Sequence, residues 1–375
     1  MNEIDLALKY EPVLLFSKDD KGREESFFPM STAHYVAESS LHEKGVGAIK
    51  ERTALSLNDL ATTTPGKSRD LYLAYAADKI LVHDPSLRRK LAHGGLALFS
   101  IEGSMSTQLV VEDEAGMAAA EQDPTLERNP SADEMDSAFT FSAPGEEPAA
   151  GEPASEVSFV LTNAMQLPDE IHEAALERYE PYRDFSKFPP VYYYSTLYNR
   201  GYLVLQYWFF YAYNDWGTGH GGVNDHEGDW EMIALYFRDN TPRYIAYSAH
   251  TGGPEYYSWD AAEVTKVGGT HPVVYVGCGS HANYFHSTAH DMFSYTDFAF
   301  GNSAIAIGSD TGVPWGKPAD LRAQSWALNY SGGWGAMVKR FGSSSLAPGA
   351  QSPVGPVWQF ERWESPTGWA RVPLP

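Results

Sequence analysis

The chain has a single cysteine, Cys278, so no disulfide can form within it. It is also poor in positive charge. Lys and Arg number 27 against 49 Asp and Glu, a formal net charge of −22. Nonspecific nucleic-acid binding needs Lys and Arg to neutralise phosphates, so no nucleic-acid partner is expected. Simple electrostatic adhesion to anionic lipid is disfavoured for the same reason. No window of about 18 apolar residues occurs, so no transmembrane segment is expected. The densest apolar run, Tyr202 to Tyr213, is too short and reads as a strand. The opening MNEIDLALKYEPVLLF carries acids and no long apolar stretch, unlike a secretory signal. A cytoplasmic location is therefore expected, with peripheral membrane contact left open. There is no internal repeat.

What is present is aromatic and turn-rich: 23 Tyr, 18 Phe and 10 Trp, with 33 Gly and 24 Pro among 375 residues. That balance favours many strands joined by turns over a helical bundle. The expected fold is mainly β, a β-sandwich core with a few peripheral helices and a long acidic insert. Residues 1–111 are expected to pack on the core, 112–156 to form an acidic low-complexity loop, and 157–375 to form the sandwich carrying the site. The insert holds thirteen acids and one base and almost no Leu, Ile or Val, too little apolar surface to offset its ordering entropy.

Ser31 is placed to cap a short helix through Glu38, and Asp169 to Tyr182 reads as a helix with Pro168 at its start. Leu71 to Leu81 fits helix or strand. From Val191 onward the pattern is β, with strands expected at 191–198, 202–213, 230–237, 243–249, 272–277, 303–307, about 336–341 and 357–363.

The stretch NDHEGDWEMI at 224–233 puts two Asp, two Glu and a His at the mouth of an apolar strand. Residues two apart share a face of a strand, so Asp229 and Glu231 project together while Trp230 points away. His226 lies just before, with Gly228 free to turn. Side-by-side carboxylates repel, and a divalent cation would remove that penalty. Asp215 ends the preceding strand and should reach the same end of the sheet if consecutive strands are neighbours. A hairpin centred near residue 240 returns His250 to the charged end. Ser280 and His281 follow a third strand in GCGSHANYF. Seven of the twelve histidines fall between 220 and 290. His220, His271, His286 and His290, taken singly, read as packed or surface residues.

HEGDWE at 226–231 and GSHANYF at 279–285 resemble the signatures of the Vps62 family, named for a yeast protein linked to vacuolar protein sorting. The resemblance extends to YEPVLLFSKDDKGREESFFPMS, to 189–216 and to YSAHTGG at 247–253. The HxxDWE core is also similar to the central motif of NPP1-like necrosis-inducing proteins, a β-sandwich family that holds a divalent cation with Asp, His, Asp and Glu. That similarity implies Asp215, His226, Asp229 and Glu231 as metal ligands. The family's second histidine, cysteine pair and secretory signal are lacking, so what carries over is the metal set and not toxin activity.

Two functions follow as expectations. One is a divalent-cation-binding module, with Mg, Mn or Ca favoured by an oxygen-rich set, gripping a small polar ligand, glycan or lipid headgroup through the cation. The Trp-rich surroundings (Trp208, Trp216, Trp230, Trp259) could stack on a sugar, though most read as core. The alternative is a metal-dependent enzyme, a hydrolase with metal-activated water or a non-haem iron type. It would use His250 and His281 at the same site, and Zn or Fe would then be favoured. His250, His281 and Ser280 are the catalytic candidates. For Ser280 as nucleophile, C-G-S-H-A departs from G-x-S-x-G and offers no evident acid partner. Whether there is catalysis is open at this stage.

Overall fold

The computed structural model describes residues 2–43, 46–77, 96–98, 169–219, 225–250, 253–292, 295–336, 338–340 and 352–375. The acidic stretch 112–156 and His220 lie outside them.

The fold is mainly β. Its main sheet has six strands, ordered Glu255–Ser258, Thr241–Tyr247, His226–Arg238, Tyr202–Asn214, Tyr192–Asn199 and Ala319–Asp320. The four central strands form an antiparallel meander. Arg200-Gly201 and Asp239-Asn240, all at positive φ, make two of its turns, the conformation that tight hairpin turns require. The second sheet is built on His271–Val276. It pairs in parallel with Val13–Leu15 and antiparallel with Lys266–Val267 and Asn283–Tyr284, and Ala306–Ile307 extends it.

Alternation along Tyr202–Asn214 decides what lies between the layers. Tyr207 and Tyr211, with Tyr247 two strands away on Thr241–Tyr247, face the second sheet and the chain above it. The Tyr207 hydroxyl donates to the Ala7 carbonyl at 2.8 Å, and that of Tyr247 to the Val273 carbonyl at 2.9 Å. Tyr247 stacks on Phe285 with centroids 3.8 Å apart. On the opposite face Phe210 and Trp230 meet Trp334 at 5.0 and 5.2 Å, and Trp326 and Tyr35 complete that layer.

Trp208, Trp216, Trp230 and Trp259 are all buried. They are core, not a stacking platform. Helix Thr32–Ala37 starts at Ser31, whose hydroxyl accepts from the Ala33 amide. Helix Asp169–Tyr179 continues into a 3-10 turn, Glu180–Arg183.

Several expectations need correction. Residues 357–363 are not a strand but the turn Pro356–Trp358 and the helix Phe360–Glu364. Val357, Phe360 and Trp363 recur every third residue, a helical spacing, and Trp363 is the one that is buried. The strand expected at 303–307 shortens to Ala306–Ile307. Leu71–Ala74 is a strand, with residues beyond 77 undescribed. Among the described residues no helix is long and apolar enough to cross a membrane.

Candidate functional site

Strands Tyr202–Asn214 and His226–Arg238 are direct neighbours, with Tyr211 opposite Asp229 and Asn214 opposite His226. The charged residues therefore gather at one end of the sheet, between it and the loop that follows His271–Val276.

Gly228 shapes the mouth. Its φ is +63°, and a Cβ there would sit 2.2 Å from the Trp334 carbonyl oxygen, so only glycine fits. The turn breaks the two-residue alternation. Glu227 and Trp230 both face the Trp334 side: the Glu227 carboxylate accepts from the amides of Ala76, Ala77 and Ala336 at 2.5–2.8 Å. His226 is thereby turned to the face of Asp229 and Glu231. Its Nδ1 lies 2.9 Å from the Gly228 carbonyl oxygen. A carbonyl can only accept, so Nδ1 carries the proton and the lone pair of the neutral ring is on Nε2. Burial lowers the pKa of this ring, which keeps it neutral.

His281 is completely buried in the left-handed conformation, φ +57°. Its ring stacks on Tyr211 with centroids 3.8 Å apart. Nδ1 donates to Asp229 Oδ2 at 2.9 Å, and Nε2 faces Glu25 Oε1 at 3.4 Å. Burial alone would lower its pKa, but the two carboxylates prevail and raise it to about 10. His281 is thus an imidazolium with both nitrogens committed. Asp229 also accepts from the Asn214 side-chain amide. Burial opposes its ionisation, but the His281 hydrogen bond and the neighbouring imidazoles hold its pKa low.

Glu231 accepts a hydrogen bond from the Ser248 hydroxyl. The partly exposed His250 places Nε2 at 3.7 Å from Glu231 Oε1 and Nδ1 at 3.8 Å from Asp297 Oδ2. The hairpin register that brings it there holds to within a residue, Ile233 pairing Tyr247. Ser280 is buried, and its hydroxyl donates to Asp297 at 2.7 Å. Asp297 also accepts from the Tyr284 hydroxyl, and its Oδ2 is the oxygen that His250 Nδ1 approaches at 3.8 Å. The Ser280 hydroxyl is thus committed to a carboxylate, and among the described residues no imidazole is in hydrogen-bond contact with it.

Asp215 is buried at the same end but has other company. Its Oδ2 lies 3.1 Å from Arg23 Nη1 and 3.3 Å from His172 Nε2. Arg23 Nη1 also donates to the Asp215 carbonyl at 3.2 Å. Against the effect of burial, the His172 hydrogen bond and the Arg23 charge hold the carboxyl below its usual range. Oδ1 is buried without a hydrogen-bond partner, facing Gly279, where a Cβ would come within 2.6 Å of it.

Sequence reasoning found Asp215, His226, Asp229, Glu231, His250 and His281 at one end of the sheet. It missed Glu25, Asp297, Arg23 and His172 as their partners. Glu25 and Arg23 stand in the N-terminal stretch already noted for its Vps62 resemblance, the one available signal. Among the described residues no three His, Cys, Asp or Glu side chains are spaced to hold one metal ion as they stand.

No family model matches the chain. It is similar to TDA6 of Saccharomyces cerevisiae, provisionally named as a vacuolar protein sorting-associated protein, with 28 % identity over 170 residues. That match covers 36 % of this chain and 35 % of the yeast protein, so the chain spans about a third of the relative it matches. The Vps62 resemblance is therefore met in a curated relative. Solved structures matched include Necrosis and Ethylene inducing Protein 2 from the causal agent of cocoa's Witches Broom disease. It is 18 % identical with a TM-score of 0.26, over 39 % of this chain and 57 % of that one. Another is NLPPya in complex with mannosamine, 12 % identical with a TM-score of 0.28, over 48 % of this chain and 66 % of that one. NPP1-like proteins are thus among the partial structural matches.

Proposed function

We propose that the protein binds a divalent cation at the mouth of strand His226–Arg238, with His226 Nε2, Asp229 and Glu231 as donors. A small polar ligand bearing hydroxyls or a phosphate, such as a glycan or lipid headgroup, would then be held through the cation's open positions. The observation that carries this reading is the His226–Gly228 hydrogen bond. A ring whose Nδ1–H is fixed on a backbone carbonyl presents Nε2 as a ligand, the usual second contact of a metal-binding histidine.

The donor set fits a hard cation in its chemistry. Two carboxylates and one imidazole favour Mg, Mn or Ca over Zn or Fe. Closing from the present spacing around an ion requires the carboxylates to exchange their His281, His250 and Ser248 contacts for metal bonds. The enzyme alternative calls on His250 and His281. His281 has both nitrogens on carboxylates, while His250 Nε2 stands 3.7 Å from Glu231 Oε1, so with His226 as the one presented imidazole the carboxylate-rich set favours the binding module. Calorimetric titration of chelator-treated protein with Mn2+ tests it. Wild type should take up one equivalent, and Asp229→Asn should bind at least about 100-fold more weakly, since a direct ligand matters no less than its outer shell. Equal affinities would refute it.

A further inference from the structure

The end of the main sheet farthest from the charged mouth carries the opposite sign. Strand His226–Arg238 begins in the site and ends on the exposed Arg238, about 40 Å away at about 3.3 Å per residue. Arg238 opens the turn into strand Thr241–Tyr247, on which Arg243 is also exposed. The neighbouring turn, between Tyr192–Asn199 and Tyr202–Asn214, presents Arg200. Burial raises the pKa of Tyr202, and the charges of Arg238 and Arg243 pull against that rise, so both guanidiniums stand near this one ring. The Tyr202 hydroxyl donates to the Pro373 carbonyl at 2.8 Å, which lays the C-terminal segment across the same end. Arg200 reaches that segment too, its Nη2 lying 3.9 Å from where a Cβ on Gly368 would stand. Against these three arginines the two turns hold one acid, Asp239. Among the described residues none of the three guanidiniums is paired with a carboxylate, whereas those of Arg23 and Arg52 are.

Two apolar side chains flank the arginines. Tyr198 is 83 % exposed and Leu374 63 %, the two most exposed large apolar residues among those described. Tyr198 stands two residues before Arg200. Leu374 precedes Pro375, which packs on Gly201, where a Cβ would come within 2.8 Å of it.

We propose that this end of the sheet docks on an anionic lipid surface. A guanidinium suits a lipid phosphate, which it can grip with two N–H groups. Tyrosine favours a boundary that is apolar on one side and wet on the other, and Leu374 supplies surface to bury in the headgroup layer. The net charge of −22 opposes such contact for the chain as a whole. Screening lets the local sign decide, because the Debye length is about 8 Å at physiological ionic strength and the acidic mouth is about 40 Å away. A nucleic acid would match the arginines but offers no apolar layer for Leu374. Docked in this way, the protein holds its charged mouth away from the bilayer, open to ligands from the other side. The inference does not depend on a cation at that mouth.

The test is flotation of the full chain with vesicles in EDTA, with thermal melts of each variant to verify folding. Wild type should float with vesicles of phosphatidylcholine and phosphatidylserine at low salt, less so at physiological salt, and not with phosphatidylcholine alone. Arg238→Gln and Arg243→Gln should each weaken partitioning about fivefold, the worth of one basic residue at an anionic surface. Tyr198→Ser should weaken it as well, at unchanged charge. Lys67→Gln, on the separate helix Pro65–Ser68, removes the same charge elsewhere and should leave partitioning as it is. No flotation with phosphatidylserine at low salt would overturn the inference. Equal losses from Lys67→Gln and Arg243→Gln would also overturn it, since they would report net charge and not this face. Capture on heparin without flotation would assign the arginines to a soluble polyanion and overturn the lipid surface.

Discussion

Two sets of buried carboxylates lie on opposite faces of strand His226–Arg238, and they are held by different chemistry. Glu227 faces the tryptophan layer and accepts three backbone amides, from Ala76, Ala77 and Ala336. Asp229 and Glu231 face the other way and are met by side chains: His281, Asn214, His250 and Ser248. A carboxylate capped by amides cannot leave them without stranding buried N–H groups. One held by imidazoles and hydroxyls can trade them for an ion. The same motif, HEGDWE, thus supplies a fixed anchor and an exchangeable set, separated by the turn at Gly228.

The sharpest way to break this contrast is at Glu227. Replacing it with Ala strands three buried amides, and the loss should be about 3–9 kcal/mol of folding stability at about 1–3 kcal/mol for each unsatisfied group. Denaturant unfolding measures it. A change below about 1 kcal/mol would show that Glu227 is not an anchor. Next is Gly228→Ala, which meets both a positive φ and the Trp334 carbonyl. It should cost about 2–4 kcal/mol and weaken Mn2+ binding, because the turn that rotates His226 to the site face cannot be kept. Full retention of affinity would contradict the role given to the turn.

A smaller effect sharpens the comparison by way of histidine. His281, between two carboxylates, has its pKa raised to about 10. His42 is equally buried, on the three-stranded sheet of Ser40–Glu43, where among the described residues the Ser40 hydroxyl at 2.8 Å and the Tyr72 ring lie beside it. Burial without a counter-charge pushes it down to about 4. Below its ordinary pKa of about 6.5, the unfolded chain takes up a proton that the folded chain refuses. Stability therefore falls as pH drops from about 6.5 toward 4. Relative to His42→Gln, wild type should lose about 2 kcal/mol between pH 7 and pH 5, one pKa unit being about 1.4 kcal/mol. Parallel stability–pH curves for the two proteins would contradict this.

The central strands were legible because their signals are local. Apolar runs bounded by Asn-Arg-Gly and Asp-Asn turns mark 191–198, 202–213 and 230–237, which the structure extends to 192–199, 202–214 and 226–238. The charged residues 226–229 join the strand they were expected to precede, and the neighbouring of consecutive strands brings Asp215 to the end where Asp229 lies. The site's partners were not legible, because Glu25, Arg23 and His172 reach it from 43 to 256 residues away in the chain. Neither spacing nor periodicity encodes such contacts. Nor did alternation foresee Glu227 turning from the site. That depends on the positive φ of Gly228, which a sequence permits but does not announce. The error at 357–363 is of another kind: a short apolar run is ambiguous between strand and helix, and there the three-residue spacing was the better guide.

The most direct measurement is a crystal structure of the protein grown with Mn2+, with anomalous differences recorded. The account expects one strong peak at the mouth of strand His226–Arg238, at about 2.0–2.6 Å from His226 Nε2 and from oxygens of Asp229 and Glu231. Its absence there, with His281 and His250 still seated against the carboxylates at saturating Mn2+, would contradict the account.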